Sequence, residues 1–279
     1  MFQRLLADRM NSLKTESAFK VLEKANRLEA QGMDVVHLEI GEPDFNTDPS
    51  VIGSAVKALN KGNTKYCSPS GLLQLKDYIA KHAGLKRGIN IKPEEVVITP
   101  GAKPILFFAL QAFVNPGDEV IIPNPGYPIY ESVVNFCGGI AKHVPIIEKD
   151  DNFTLDLDKL AAAITPKTKA IILNSPHNPT GGLIPKDDMG KIAQLIIDKD
   201  IIVISDEIYL DIYYGEKPVS IASFPGMKDR TIILDGFSKS YAMTGWRLGY
   251  GIMPQPIAEH FSMLAVNSYS CTPPFVQMA

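Results

Sequence analysis

Six short runs of β-branched and apolar residues, set among helix-like stretches, constrain this chain more than any other feature. They are Glu95–Thr99, Glu119–Ile122, Ala141–Val144, Lys169–Asn174, Ile201–Asp206 and Thr231–Asp235. Several are apolar at successive positions instead of alternating, the composition of strands covered on both faces. Helical patterns over 102–114, 156–163, 186–199 and 255–265 supply the covers. The fold class is therefore α/β, a three-layer sandwich around a mainly parallel sheet. With 279 residues the chain is long enough for such a core. Its 45% hydrophobic and 21% charged residues exclude a disordered, collagen-like or coiled-coil chain.

Before the first run the pattern differs. Residues 11–31 read as a helix, with Thr15 or Ser17 as its cap and Gly32 as its stop. Val35–Ile40 reads as a short strand ended by the turn Gly41-Glu42-Pro43-Asp44. Helices over 49–60 and 71–83 flank a polar loop, Gly62–Tyr66. The formal charge of −3 gives no electrostatic reason to expect nucleic acid or an anionic membrane as partner. The apolar runs are strand-sized, too short to span a membrane, and the N-terminus shows no signal-peptide pattern. Three scattered cysteines form no disulfide framework and no metal spacing, which points to a reducing cytoplasm. Five histidines are equally scattered, and no metal site is expected.

Polar residues gather just past the strand ends, where open α/β sheets place their ligand crevice. Lys239 follows a buried strand in Ser238-Lys239-Ser240. A neutral lysine there can form a Schiff base with an aldehyde; the plainer reading is a solvated charge. Arg247 offers a planar fork suited to phosphate. Asp206 ends another apolar strand and can hold a pyridinium nitrogen protonated. Tyr209 can then hydrogen-bond the ring oxygen; equally, Asp206 can be a helix cap beside a surface tyrosine. Asn178 lies in a proline-rich turn that can hold it rigidly, or that is a turn and nothing more. Gly101, Ala102 and Lys103 lead into a helix whose first N–H groups make an anion site. Tyr127 can stack on a flat ring or pack in the core. Tyr66, in its polar loop, can reach a phosphate or merely face solvent.

Taken together, Ser238-Lys239-x-x-x-Met243-x-Gly245-Trp246-Arg247-x-Gly249, Asn178-Pro179-Thr180-Gly181 and Asp206-Glu207-x-Tyr209 carry a resemblance. With Gly41-Glu42-Pro43-Asp44-Phe45 and Thr64-Lys65-Tyr66, the chain resembles the fold-type I, class I/II pyridoxal-phosphate aminotransferases, in the aspartate aminotransferase-like branch. The resemblance runs from about residue 10 to the end. It implies pyridoxal 5′-phosphate as cofactor and an amino acid and a 2-oxo acid as substrates. It also implies a homodimer and two regions: 1–45 contributing to a small domain, and 46–279 as the large cofactor-binding domain. Lys239 would hold the cofactor as a Schiff base and move the proton. Asp206 would pair with the ring nitrogen, and Tyr209 and Asn178 with the ring oxygen. Tyr127 would stack on the ring. Gly101, Ala102, Lys103, Ser238 and Arg247 would bind the phosphate, and Tyr66 the phosphate of the neighbouring subunit. Gly41 and Asn178 would lie near the substrate carboxylate.

Two departures stand out. Gly236 replaces a serine that the family often places three residues before the lysine. The family usually continues past the point reached by Ala279, completing the small domain and supplying the arginine that clamps the substrate carboxylate; the small domain is therefore expected to be incomplete. A carbon–sulfur β-lyase on the same scaffold, and a catalytically inactive cofactor-binding fragment, are the alternatives.

Overall fold

The computed structural model describes residues 5–14 and 17–279. A single turn of 3-10 helix (Asp8–Asn11) precedes α1 (Ser17–Glu29), α2 (Pro49–Asn60) and α3 (Leu73–Arg87). Then β1 (Val96–Thr99), α4 (Lys103–Phe113), β2 (Glu119–Asn124), α5 (Ile129–Phe136), β3 (Ile140–Lys149) and β4 (Asn152–Leu155) follow. The remainder is α6 (Leu157–Ala163), β5 (Thr168–Asn174), α7 (Lys186–Ile196), β6 (Ile202–Asp206), β7 (Thr231–Gly236), β8 (Gly249–Ile252), α8 (Gln255–Ser268) and α9 (Pro274–Gln277).

All six apolar runs are strands of one eight-stranded sheet, in the order β1-β8-β7-β6-β5-β2-β3-β4. β3, β2, β5, β6 and β7 are parallel along it. β8 runs antiparallel between β1 and β7, and β4 antiparallel to β3. Alternation along each strand assigns side chains to opposite faces. Ile172, Ile204, Ile232 and Leu234 pack with α4, α5 and α8. Ile171, Leu173 and Val203 pack with α7 on the other face, where Ile233 and Tyr250 meet α3. The three layers are thus as the sequence implies.

The N-terminal region departs from expectation. The helix begins at Ser17, not near residue 11, because residues 12–14 bond elsewhere. Lys14 donates its N–H to Ser132 Oγ at 2.8 Å, and Ser132 Oγ donates back to the Lys14 carbonyl at 3.0 Å. Thr15, a candidate cap, lies outside the described residues. Gly32 ends the turn after α1 at φ +86°, donating to the Glu29 carbonyl. Val35–Ile40 is not a strand: no strand of the described residues pairs with it, and Leu38 is 88% exposed. An isolated extended segment gains no ladder and reads as loop. Beyond it, α5, β4, β8 and α9 are elements that the hydrophobic pattern did not reveal. β8 is glycine-rich, which normally weakens a strand, yet a Cβ on Gly249 would lie 2.4 Å from the Ala102 nitrogen.

Candidate active site

The carboxyl ends of β5, β6 and β7 open into one cleft of about 690 Å³. Gly41, Ala102, Lys103, Tyr127, Asn178, Asp206, Tyr209, Ser238, Lys239 and Arg247 line it. Gly101 lies directly beneath Arg247. Tyr66 stands apart: it is 88% exposed and does not line this cleft.

At one end of the cleft, Thr99-Pro100-Gly101-Ala102 turns from β1 into α4. Gly101 adopts φ +81°, which only glycine takes without strain. A Cβ there would stand 2.1 Å from Arg247 Nη2, so the guanidinium covers the glycine. No side chain caps α4, so the positive end of the helix stands uncapped beside that guanidinium. Arg247 itself sits at φ +56° and donates through Nη1 to the Thr244 carbonyl at 2.7 Å. Gly236 faces Gly249 across β7 and β8, and a Cβ at 236 would approach the Gly249 Cα to 3.0 Å. The serine often found at this position would have to push the neighbouring backbone aside, and at Gly249 and Gly101 a side chain would meet its neighbours closer still.

At the other end Asp206 is buried on the α4–α5 face of the sheet. Tyr130 donates its hydroxyl to Asp206 Oδ2 at 2.7 Å, and the Ile208 N–H approaches Oδ1 at 3.3 Å. Burial pushes the Asp206 carboxyl up to about 6; the Tyr130 hydroxyl and Ile208 N–H pull it down, while Asp235 and Glu207 add to the rise. Its hydrogen-bond donors, a tyrosine hydroxyl and a backbone N–H, are neutral, so a cation in the cleft would be held there.

Between the two ends, Lys239 donates to the Gly41 carbonyl, and its Nζ lies 5.7 Å from the centre of the Tyr209 ring. Burial and the Asp206 charge raise the Tyr209 hydroxyl above its usual range, opposed by a hydrogen bond from Asn178. Asn178 is held by Asn174, whose Oδ1 accepts its backbone N–H at 2.8 Å. Asn174 Nδ2 also donates to the Pro176 and Asp206 carbonyls, both at 3.1 Å, so one amide ties the end of β5 to that of β6. Tyr127 packs edge-on against Tyr130, with ring centres 5.7 Å apart. Lys103 Nζ lies 5.5 Å from the Tyr127 ring centre.

Sequence reasoning missed Tyr130 and Asn174, which set Asp206 and Asn178. Tyr130 belongs to α5, which the hydrophobic pattern does not reveal, and Tyr127 lies before that helix begins, so no helical spacing links the two. Among the described residues no group of three or more His, Cys, Asp or Glu side chains could hold a metal ion. No helix among them is long and apolar enough to cross a membrane.

One end of this cleft suits an anion such as phosphate, its walls suit a flat ring, and its far end suits a ring cation. Comparison with known proteins gives the family. A family described as aminotransferase class I and II matches residues 33–278. The aspartate aminotransferase of Geobacillus stearothermophilus is 40% identical over 267 residues, which cover 95% of this chain and 68% of the relative. The probable aspartate/prephenate aminotransferase of Aquifex aeolicus is 38% identical, over 98% of this chain and 69% of the relative. Among solved structures, the aspartate aminotransferase from Thermus thermophilus with maleate superposes with a TM-score of 0.94 at 35% identity, covering 98% of this chain and 71% of that one.

Proposed function

Since the chain belongs to the class I and II aminotransferase family, we propose that it transfers an amino group between an amino acid and a 2-oxo acid, with Lys239 as the reacting amine. The cofactor of the family is pyridoxal 5′-phosphate, and the residues present fit it. The uncapped start of α4 and the glycine that only Arg247 can cover make a cradle for phosphate. The buried Asp206 carboxylate, whose hydrogen-bond donors are neutral, suits a pyridinium. When bound, this cofactor supplies a carbonyl for the amino group and a ring that accepts an electron pair.

The chain's own residues would divide the work. The backbone of Gly101, Ala102 and Lys103, with Ser238 and Arg247, holds the phosphate. Asp206, fixed by Tyr130, keeps the proton on the ring nitrogen. Tyr209 and Asn178 donate to the ring oxygen, and Tyr127 covers the ring face. Gly41 and Asn178 orient the substrate carboxylate. Lys239 Nζ holds the cofactor before substrate arrives, then carries the proton between the substrate carbon and the cofactor.

The convergence of Lys239, Asp206 and Arg247 on one cleft from separate segments carries this reading. It is tested by the visible spectrum of the purified chain with pyridoxal phosphate, before and after aspartate and glutamate. We expect a band from the bound cofactor that changes when the amino donors are added, and no such band in Lys239→Ala. A band that ignores every donor, or release of pyruvate and ammonia from cystathionine without a 2-oxo acid, would overturn the assignment.

We read residues 1–45 as contributing to a small domain and 46–279 as the large one; the exposed Val36 and Leu38 support this. The homodimer draws support from the exposed Tyr66, which would serve the neighbouring subunit, and from the exposed stripe Ile52, Val56 and Leu59 on α2. Sedimentation as a monomer would remove that role from Tyr66. The three free cysteines support a reducing cytoplasm.

A further inference from the structure

We propose that Arg87 is a positioning residue for this reaction: from the far side of the sheet it grips Glu207 and Asp235, and through them the turns that carry Asp206 and Lys239. The inference rests on the reading of Asp206 and Lys239 given above.

The geometry is closed on every side. Arg87 Nε donates to Glu207 Oε2 at 2.6 Å, and Nη2 to Asp235 Oδ2 at 2.7 Å. The Arg87 side chain is 0% exposed, Glu207 2% and Asp235 8%. Glu207 Oε1 accepts from Ser205 at 2.9 Å and Ser220 at 2.6 Å. Asp235 accepts from the Tyr250 hydroxyl at 2.8 Å and from the Gly236 N–H at 2.7 Å. Burial alone would push the Arg87 guanidinium down; the two carboxylates more than reverse this and hold it above its ordinary value.

Glu207 directly follows Asp206, and Asp235 directly precedes Gly236 in the turn that leads to Lys239. Successive strand residues point to opposite faces. Asp206 therefore enters the cleft while Glu207 enters the α3 side. A guanidinium that fixes both hidden carboxylates fixes the spacing of the two strand ends, and with it the distance between the cleft's carboxylate and its lysine. Only a planar fork can serve two carboxylates along two edges at once.

Stability alone does not explain such a cluster. Buried ion networks are often no better than well-packed apolar residues of the same volume. The two carboxyl groups of this one also oppose the ionisation of Asp206 through the sheet. Tyr130 from α5 and Tyr209 from the turn after β6 interact with Asp206 on the cleft side, while Glu207 and Asp235 act on it from the α3 side and oppose its ionisation. Lys239 lines the same cleft.

The test uses the cofactor-loaded protein and two variants. Glu207→Gln keeps the shape and the serine contacts, deletes one negative charge and turns an amide N–H towards Arg87 Nε, so it also breaks that arm of the grip. The pH midpoint of the bound cofactor's visible band is expected to fall by about half a unit or more. Arg87→Lys keeps the cation but loses the fork. Its dissociation constant for pyridoxal phosphate is expected to rise about tenfold. A cluster that merely stabilises the fold would lower the unfolding temperature and leave both readouts unmoved. An unmoved midpoint in folded Glu207→Gln, or an unmoved affinity in folded Arg87→Lys, overturns the proposal. Where Arg87→Lys does not fold, Glu207→Gln decides alone. Absence of any cofactor band in the parent protein would overturn the cofactor site itself, a result separate from either variant's.

Discussion

The two faces of the sheet treat their carboxylates in opposite ways at the same strand ends. On the α3 face, Glu207 and Asp235 share a guanidinium and four further donors. On the α4–α5 face, Asp206 accepts from a tyrosine hydroxyl and one N–H, both neutral donors. The first arrangement is complete as folded. The second leaves a buried carboxyl lifted to about 6, an arrangement that becomes favourable only when a positive group arrives. A site that binds by charge can be recognised by what its own fold leaves unbalanced.

The largest expected effect is on the open face. Lys239→Ala should cut transamination by about a thousandfold or more, roughly 4 kcal/mol of barrier, measured as turnover of aspartate with 2-oxoglutarate. Retained turnover would remove Lys239 from its role. A paired measurement then sets the faces against each other. Asp235→Ala strips Arg87 of one partner and should cost about 3–5 kcal/mol of stability in urea unfolding. Asp206→Asn should leave the cofactor-free protein at least as stable as before, because it removes an unbalanced charge, while lowering turnover. Equal destabilisation by both would erase the contrast.

Acidity sharpens it further. An unfolded aspartate titrates near ~3.9, whereas Asp206 in the fold is raised to about 6. The folded state thus holds the extra proton, so the Asp206 contribution to stability declines as pH rises from about 4 to about 6 and is flat above. The loss is on the order of 3 kcal/mol. A bound pyridinium offsets it, so the gain in unfolding temperature on adding cofactor should be wider at pH 8 than at pH 5. That widening should vanish in Asp206→Asn. A smaller effect is expected at the cradle. Gly101→Ala forces a positive φ on alanine and displaces Arg247, weakening pyridoxal phosphate about tenfold, or ~1.4 kcal/mol. Smallest is Tyr66→Phe, which should lose about 1 kcal/mol of cofactor binding, and only if the chain pairs with a second copy.

The open face was the more legible of the two. Lys239, Asp206 and Arg247 announce themselves because a charged group beside an apolar strand needs a reason. The same argument applied to Glu207 would have found half of the sealed cluster. Arg87 could not have been found this way: it sits in an ordinary helical pattern, and only the packing of α3 on β1, β8 and β7 brings it to its partners. β8 was unreadable for a different reason, since its glycines answer to backbones from elsewhere in the chain. The loop at Val35–Ile40 looked like a strand because apolar alternation is a statement about one segment, whereas a strand needs a neighbour.

The alternation of faces also bears on how this sequence can change over generations. Insertions and deletions are tolerated in loops, but a one-residue slip of a strand turns every side chain to the opposite side. In β6 such a slip would exchange Asp206 with Glu207, one carboxylate for another a methylene longer. In β7 it would send Gly236 towards Arg87 and push Asp235 against Gly249, where the backbones leave little space. Of the two neighbouring strands, then, β6 has an alternative reading frame that still presents an acid to the cleft, and β7 has none.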